Sequence, residues 1–160
     1  MAKIHPFLWF DNQAEEAMNF YVSIFPNSKV LSCQRYGPGG PGPEGSVMTA
    51  DFELDGQRIT ALNGGPMFQF SEAFSFVIDC DGQAETDHYW DKLVEGGTAS
   101  QCGWLKDRFG FSWQVTPKQL FETIGGPDPA GRQRAMAAMM QMQRLDVAKL
   151  QAAYAGEAAA

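Results

Sequence analysis

A pentapeptide pattern occurs twice in this chain, 70 positions apart: Asp11-Asn12-Gln13-Ala14-Glu15 returns as Asp81-Gly82-Gln83-Ala84-Glu85. Each copy follows an apolar run, Phe7-Leu8-Trp9-Phe10 in one case and Phe76-Val77-Ile78 in the other. Each leads into a segment with helical spacing. The offset persists along those segments, with Ala14 matching Ala84, Phe20 matching Trp90 and Ile24 matching Val94. A repeat of this length predicts a duplicated structural module. It also lets the two halves be compared position by position. At 160 residues the chain has room for one domain, or one duplicated domain, with a real core.

Residues 3–10 read as a strand rich in aromatic and apolar side chains. Residues 13–25 read as a helix, with Ala14, Ala17, Met18, Tyr21, Ile24 and Phe25 on one stripe. Asn12 stands at the N-cap position and Glu15 where a capping box places its acid. Pro26-Asn27 stops the helix. A strand over 28–36 precedes the run Gly37-Pro38-Gly39-Gly40-Pro41-Gly42-Pro43, which can be neither helix nor central strand. It reads as a mobile loop, either a lid or a plain hairpin connection. Strands over 46–54 and 57–63 flank Asp55-Gly56, a strong hairpin signal, and Gly64-Gly65-Pro66 ends the pattern.

The second half reads as strand 74–80, helix 83–95, strand 98–105, a turn at Asp107-Arg108-Phe109-Gly110 and a closing strand over 111–115. Gly96-Gly97 ends its helix. After Pro117 the pattern is helical. Residues 130–154 read as one helix carrying Met136, Met140, Val147, Leu150 and Tyr154 along a face. A face rich in methionine adapts to its own subunit or to a partner's.

Net charge is −7, and no run of basic residues is present. That opposes a nucleic-acid or anionic-membrane surface, since both require a basic patch. Three cysteines without a CxxC suit a reduced, cytoplasmic setting. No apolar run approaches the roughly 20 residues of a membrane span, and no signal region is seen at the N-terminus.

Several stretches carry a family resemblance: Pro6-Phe7-Leu8-Trp9-Phe10, Ala14-Glu15-Glu16-Ala17, Phe20-Tyr21, Ala61-Leu62-Asn63-Gly64-Gly65-Pro66, Cys102-Gly103-Trp104-Leu105 and Asp107-Arg108-Phe109-Gly110-Phe111-Ser112-Trp113. In these, and in its tandem βαβββ pattern, the chain resembles the vicinal oxygen chelate superfamily. That superfamily includes glyoxalase I, extradiol dioxygenases and the bleomycin- and fosfomycin-resistance proteins. Within it, the chain is similar to the PhnB-like group. The resemblance covers most of residues 3–117. It implies an α+β fold in which tandem βαβββ modules, 3–66 and 74–117, form half-barrel mixed sheets around a cleft within residues 1–117. A helical C-terminal extension over 118–160 follows. Such sequences often bear the label 3-demethylubiquinone methyltransferase. A methyl transfer from S-adenosylmethionine usually comes with a glycine-rich strand-to-helix turn. The glycine-rich segments here lie in a Pro-dense loop or after a hairpin strand.

Metal-dependent members of the superfamily use up to four His and Glu ligands, one on the first and one on the last strand of each module. The repeat converts that into positions. His5 corresponds to Ser75, and Gly56 aligned with Gly110 sets Gln114 opposite Thr60, or opposite Ala61 if the register slips. Of His5, Thr60, Ser75 and Gln114 only His5 is a good ligand, so no metal and no other cofactor is expected. A small-molecule pocket is the alternative use of the cleft. Trp9, Trp104 and Trp113 would supply flat apolar walls there, unless they are core filler. His5, Thr60, Asn63, Ser75 and Gln114 would supply the polar contacts. Cys102 reads as a candidate nucleophile on a strand or as an inert buried thiol.

Two functions follow. One is a metal-free protein that binds a small molecule. The other is a divalent-metal enzyme of lyase, isomerase or dioxygenase type acting on a vicinal-oxygen substrate, with His5 and Gln114 as a partial shell. The resemblance and the apolar tail also imply a homodimer, which monomeric light scattering at micromolar concentration would contradict.

Overall fold

Both modules are built to one plan. The computed structural model describes residues 2–157, so 158–160 of the expected helical extension lie outside the described residues. The chain divides into two compact units, one up to residue 70 and the other from residue 71 on. The first runs β1 (Phe7–Phe10), α1 (Ala14–Ile24), β2 (Lys29–Arg35), β3 (Val47–Leu54) and β4 (Gln57–Asn63). Its sheet order is β1-β4-β3-β2, with β1 parallel to β4 and the other pairs antiparallel. The second runs β5 (Ser75–Cys80), α2 (Gln83–Val94), β6 (Thr98–Ala99), β7 (Trp104–Lys106) and β8 (Ser112–Pro117), in the matching order β5-β8-β7-β6. The expected α+β fold of tandem βαβββ modules is present, and each sheet is mixed and open.

In the first unit the period-two alternation of the strands sorts side chains onto two faces. Leu8, Phe10, Ala50, Phe52, Ile59 and Ala61 are buried together with Ala14, Ala17, Met18, Tyr21 and Ile24 of α1. The ring of Tyr21 lies 6.5 Å from that of Phe52 and ties the helix to this face. The other face carries Phe7, Thr49, Asp51, Arg58 and Thr60. Asp55 and Gly56 both take positive φ, 49° and 80°, as the predicted two-residue hairpin requires. Asn12 does not cap α1. Gln13 precedes the helix without a side-chain cap, and Ala14 N donates instead to Asn63 Oδ1 at 2.8 Å. A residue at the end of β4 reaches the helix start more directly than the local cap does.

In the second unit the strand predicted over 98–105 is two strands. Residues 100–103 turn sharply, with Cys102 at φ 61° and Gly103 at φ 85°. That places Cys102 in a turn and gives the second module its full set of four strands. A side chain at 103 would also run into Leu145 and the Val115 carbonyl, so glycine is required twice over.

The single helix predicted over 130–154 is two helices, α4 (Pro129–Met139) and α5 (Val147–Ala155), preceded by a short α3 (Gln119–Ile124). The break has a physical cause. The Met142 and Gln143 carbonyls accept from Cys102 N and Gly103 N, each at 2.8 Å, and so are withdrawn from helical pairing. Leu145 is buried completely beside Leu120 and Leu150. Asp146 then caps α5 by accepting from Lys149 N. Gln83 of α2 holds the turn from the other side: its amide donates to the Leu145 carbonyl and accepts from Val147 N at 2.7 Å. The extension therefore packs within its own unit, while Met136 and Met140 stay exposed.

Candidate functional site

The four positions deduced from the repeat fall into two hydrogen-bonded pairs, one in each unit. Strand register fixes the correspondence. Phe7 pairs with Thr60 in the first sheet, and its repeat equivalent Val77 pairs with Gln114 in the second. Thr60, rather than Ala61, is therefore the partner position of Gln114.

In the first unit Thr60 N donates to the Pro6 carbonyl at 3.1 Å, which holds the segment before β1 alongside β4. His5 Nε2 then lies 3.0 Å from Thr60 Oγ1. The Thr60 hydroxyl also hydrogen-bonds Asp51 Oδ1 on β3, and Arg58 donates to Asp51 Oδ2 at 3.1 Å. A continuous chain results: His5, Thr60, Asp51, Arg58. Its proton order follows from the groups. An ionised carboxylate only accepts, so the single hydroxyl proton of Thr60 must point to Asp51. His5 therefore donates from Nε2 and keeps Nδ1 as its acceptor. Partial burial pushes the Asp51 carboxyl up. The hydrogen bonds from Thr60 and Arg58, with the charge of Arg58 and that of His5 in its imidazolium form, outweigh that and hold it below its ordinary value.

In the second unit Gln114 Nε2 donates to Ser75 Oγ at 3.0 Å. Trp104, half-buried on β7, pairs with Gln114 and shares its face of the sheet. Trp113 does not. It is buried on the opposite face, its ring 5.4 Å from Phe76 and 5.5 Å from Phe111, and its Nε1 donates to Asp107 Oδ2 at 2.9 Å. Adjacent residues of a strand face opposite sides, so Gln114 and Trp113 cannot share a pocket. Trp113 is core. Asn63 is likewise committed to structure: its Oδ1 caps Ala14 and its Nδ2 donates to the Val47 carbonyl. Asp107 serves the turn before β8, where its buried carboxylate accepts from Phe109 N and Phe111 N.

A divalent ion does not fit this donor set. Such ions take imidazole, thiolate and carboxylate donors in groups of three or four. Among the described residues no group of three His, Cys, Asp or Glu side chains could hold one. At the repeat-derived positions the only strong donor is His5, and its Nε2 is hydrogen-bonded to the Thr60 hydroxyl. Asp51, the nearest carboxylate, is occupied by Thr60 and Arg58.

Sequence reasoning missed Asp51, which stands at the place on β3 that Trp104 holds on β7, each paired with the last-strand site residue. The signal lay in the alternation of β3, where Thr49, Asp51 and Glu53 line the face away from the helix. It also missed a cavity of about 740 Å³ at one end of the first sheet, lined by Trp9, Asp11, Glu15, Arg35, Tyr36 and Leu62 among others. Two expected site residues, Trp9 and Asn63, reach this cavity. Part of the Gly/Pro segment, Pro41 to Pro43, forms a wall of it. Trp9 Nε1 donates to the Gly65 carbonyl at 2.9 Å, and Tyr36 Oη to the Asn63 carbonyl at 2.6 Å.

Comparison with known proteins agrees with this architecture. The family model for 3-demethylubiquinone-9 3-methyltransferase matches residues 2–116. A Bacillus cereus PhnB protein, named as a candidate 3-demethylubiquinone-9 3-methyltransferase, is 38% identical; the match covers 72% of this chain and 99% of that one, with a TM-score of 0.68. A Pseudomonas aeruginosa protein shares the fold at 22% identity and a TM-score of 0.58, over 71% of this chain and 95% of its own. The fosfomycin resistance protein FosX of Listeria monocytogenes shares it at 15% identity and a TM-score of 0.52, over 70% and 87%. Among curated proteins there is no match. The chain belongs to the 3-demethylubiquinone-9 3-methyltransferase (PhnB-like) family.

Proposed function

We propose that this protein binds a small organic molecule without a metal, in the manner of the bleomycin-resistance proteins of its superfamily rather than of its metalloenzymes. One observation carries the reading. The positions that would hold a metal are filled by two self-satisfied pairs, His5–Thr60 and Ser75–Gln114. Each pair still offers polar groups to a ligand: His5 Nδ1 as an acceptor, Gln114 Oε1 as an acceptor and the Ser75 hydroxyl as a donor. The methyltransferase in the family's name finds no support in the strand-to-helix connections. These are Asp11-Asn12-Gln13, Asp81-Gly82 and Lys118, and none is the glycine-rich turn that seats an adenosyl cofactor at a helix start.

Elemental analysis and a thermal-shift screen of tag-free protein test this. The expected results are sub-stoichiometric metal and stabilisation by an organic compound in the presence of chelator. Near-stoichiometric zinc, nickel or manganese, removable by chelator and lost in His5→Ala, would establish the metalloenzyme instead.

A further inference from the structure

We infer that the cavity at the end of the first sheet takes a flat, positively charged aromatic molecule. The inference rests on the metal-free binding reading and names a ligand class for it. The volume, about 740 Å³, falls within the range that accommodates drug-sized ligands.

Its aromatic walls are fixed and have little polar capacity left. The indole N–H of Trp9 is spent on the Gly65 carbonyl and the phenol hydroxyl of Tyr36 on the Asn63 carbonyl. Each ring is also seated against a glycine. A Cβ at Gly64 would lie 2.4 Å from the Trp9 ring, and one at Gly42 would lie 2.4 Å from the Tyr36 ring. Phe68 packs edge-on to Trp9, with ring centroids 5.0 Å apart. What these side chains offer a ligand is therefore π surface held in place, with no rotamer entropy left to lose.

The charged groups decide the sign. Asp11 and Glu15 line the cavity against one guanidinium, Arg35, whose Nη2 lies 3.6 Å from Glu15 Oε1. The start of α1 contributes about half a positive charge. Its first amide is already answered by Asn63. The two carboxylates outweigh Arg35 and the helix start together, and Glu44, which follows the Gly/Pro segment, is also acidic. Aromatic faces attract a cation through their quadrupole, and the attraction grows as the cation is desolvated. Aromatic walls, a negative rim and a chain of net charge −7 select the same ligand.

Isothermal titration calorimetry with three flat probes tests this: the permanent cation 1-methylquinolinium, neutral quinoline and anionic 1-naphthoate. The cation should bind at least about three-fold more tightly than quinoline, with 1-naphthoate weakest. Asp11→Asn should weaken the cation about two- to five-fold without affecting quinoline. Glu15→Gln should do the same, since it also releases Arg35 as an unpaired charge. Gly42→Ala, in an exposed loop, should weaken cation and quinoline alike by displacing Tyr36. Equal or reversed charge preference, or cation binding indifferent to both acid substitutions, would overturn the inference. If no probe binds while the thermal-shift screen yields a different metal-free ligand, this inference fails and the binding reading stands. Stoichiometric metal at His5 with cation binding intact would overturn the metal-free reading and leave the cavity's ligand class standing.

Discussion

Replacing Thr60 with valine keeps shape and volume but removes the hydroxyl that joins His5 to Asp51. Two hydrogen bonds disappear. The one to the Asp51 carboxylate is charge-assisted, worth about 1.5–3 kcal/mol, and the one from His5 is worth about 1 kcal/mol. Two effects offset part of this loss. Arg58 still donates to Asp51 Oδ2 at 3.1 Å, and the Asp51 side chain is 23% exposed, so water can reach the freed oxygen. Thr60 itself is only 7% exposed, and valine buries an extra methyl there. The net loss should be about 2 kcal/mol in urea unfolding at pH 7. The pH dependence has a definite sign. Asp51 is held below its ordinary 3.8 in the folded state, so the stability it contributes is fully present above that value. That stability is lost as pH falls through the depressed folded value. Without the Thr60 bond the depression shrinks, so the gap between wild type and Thr60→Val should narrow at pH 2.5. Nitrogen NMR of the imidazole gives an independent readout: neutral His5 should carry its proton on Nε2 in wild type. A loss below about 0.5 kcal/mol, a gap unchanged between the two pH values, or a His5 proton on Nδ1 would each refute the proton order assigned to this chain.

The buried carboxylate of Asp107 accepts from two backbone amides and the Trp113 indole, so Asp107→Ala should cost about 3–5 kcal/mol in urea unfolding; a loss under about 1 kcal/mol would show that the turn holds without it. Burial raises the Cys80 thiol to about 11, so it should be the slowest of the three cysteines to react with iodoacetamide at pH 8. The same shift, from an ordinary 9.0, means that stability should decline as pH rises from 9.0 through about 11, and that Cys80→Ala should flatten this decline; an equal decline in the variant would remove Cys80 as its source.

The parts of this fold legible in the sequence are those set by local chemistry. Asp55-Gly56 specifies its hairpin through positive φ, and the strand predicted over 57–63 matches β4 end to end. The 70-residue repeat carries both helices, and aligning Gly56 with Gly110 sets the correspondence of Thr60 with Gln114 that strand pairing reproduces. What escaped depends on contacts between distant residues. Periodicity over 130–154 cannot register that the Met142 and Gln143 carbonyls are claimed by the turn at Cys102-Gly103, forty residues earlier. A capping pattern at Asn12 cannot register that Asn63 arrives first. Composition counts tryptophans without their facing, so it cannot register that Trp113 is turned into the core toward the buried carboxylate of Asp107. Asp51 stands on neither the first nor the last strand of its module, and its counterpart in the second module is a tryptophan, so the repeat carries no signal for it.

Duplication lets the two units keep one fold while the side chains on the sheet face away from the helix differ. The backbone plan needs none of those side chains. Its demands are met by the helix-facing alternation of each sheet, which Phe52, Ile59 and Ala61 satisfy in one unit and Leu105 and Val115 in the other. Polar groups on a sheet face need partners. In the first unit His5, Thr60, Asp51 and Arg58 satisfy one another in a chain, and in the second Ser75 and Gln114 do so as a pair. The unequal solutions matter for function. The first unit retains a charged, proton-ordered array on the same sheet as the aromatic cavity, whereas the second retains neutral groups beside Trp104. Selectivity for the charge of a ligand should therefore reside in the first unit.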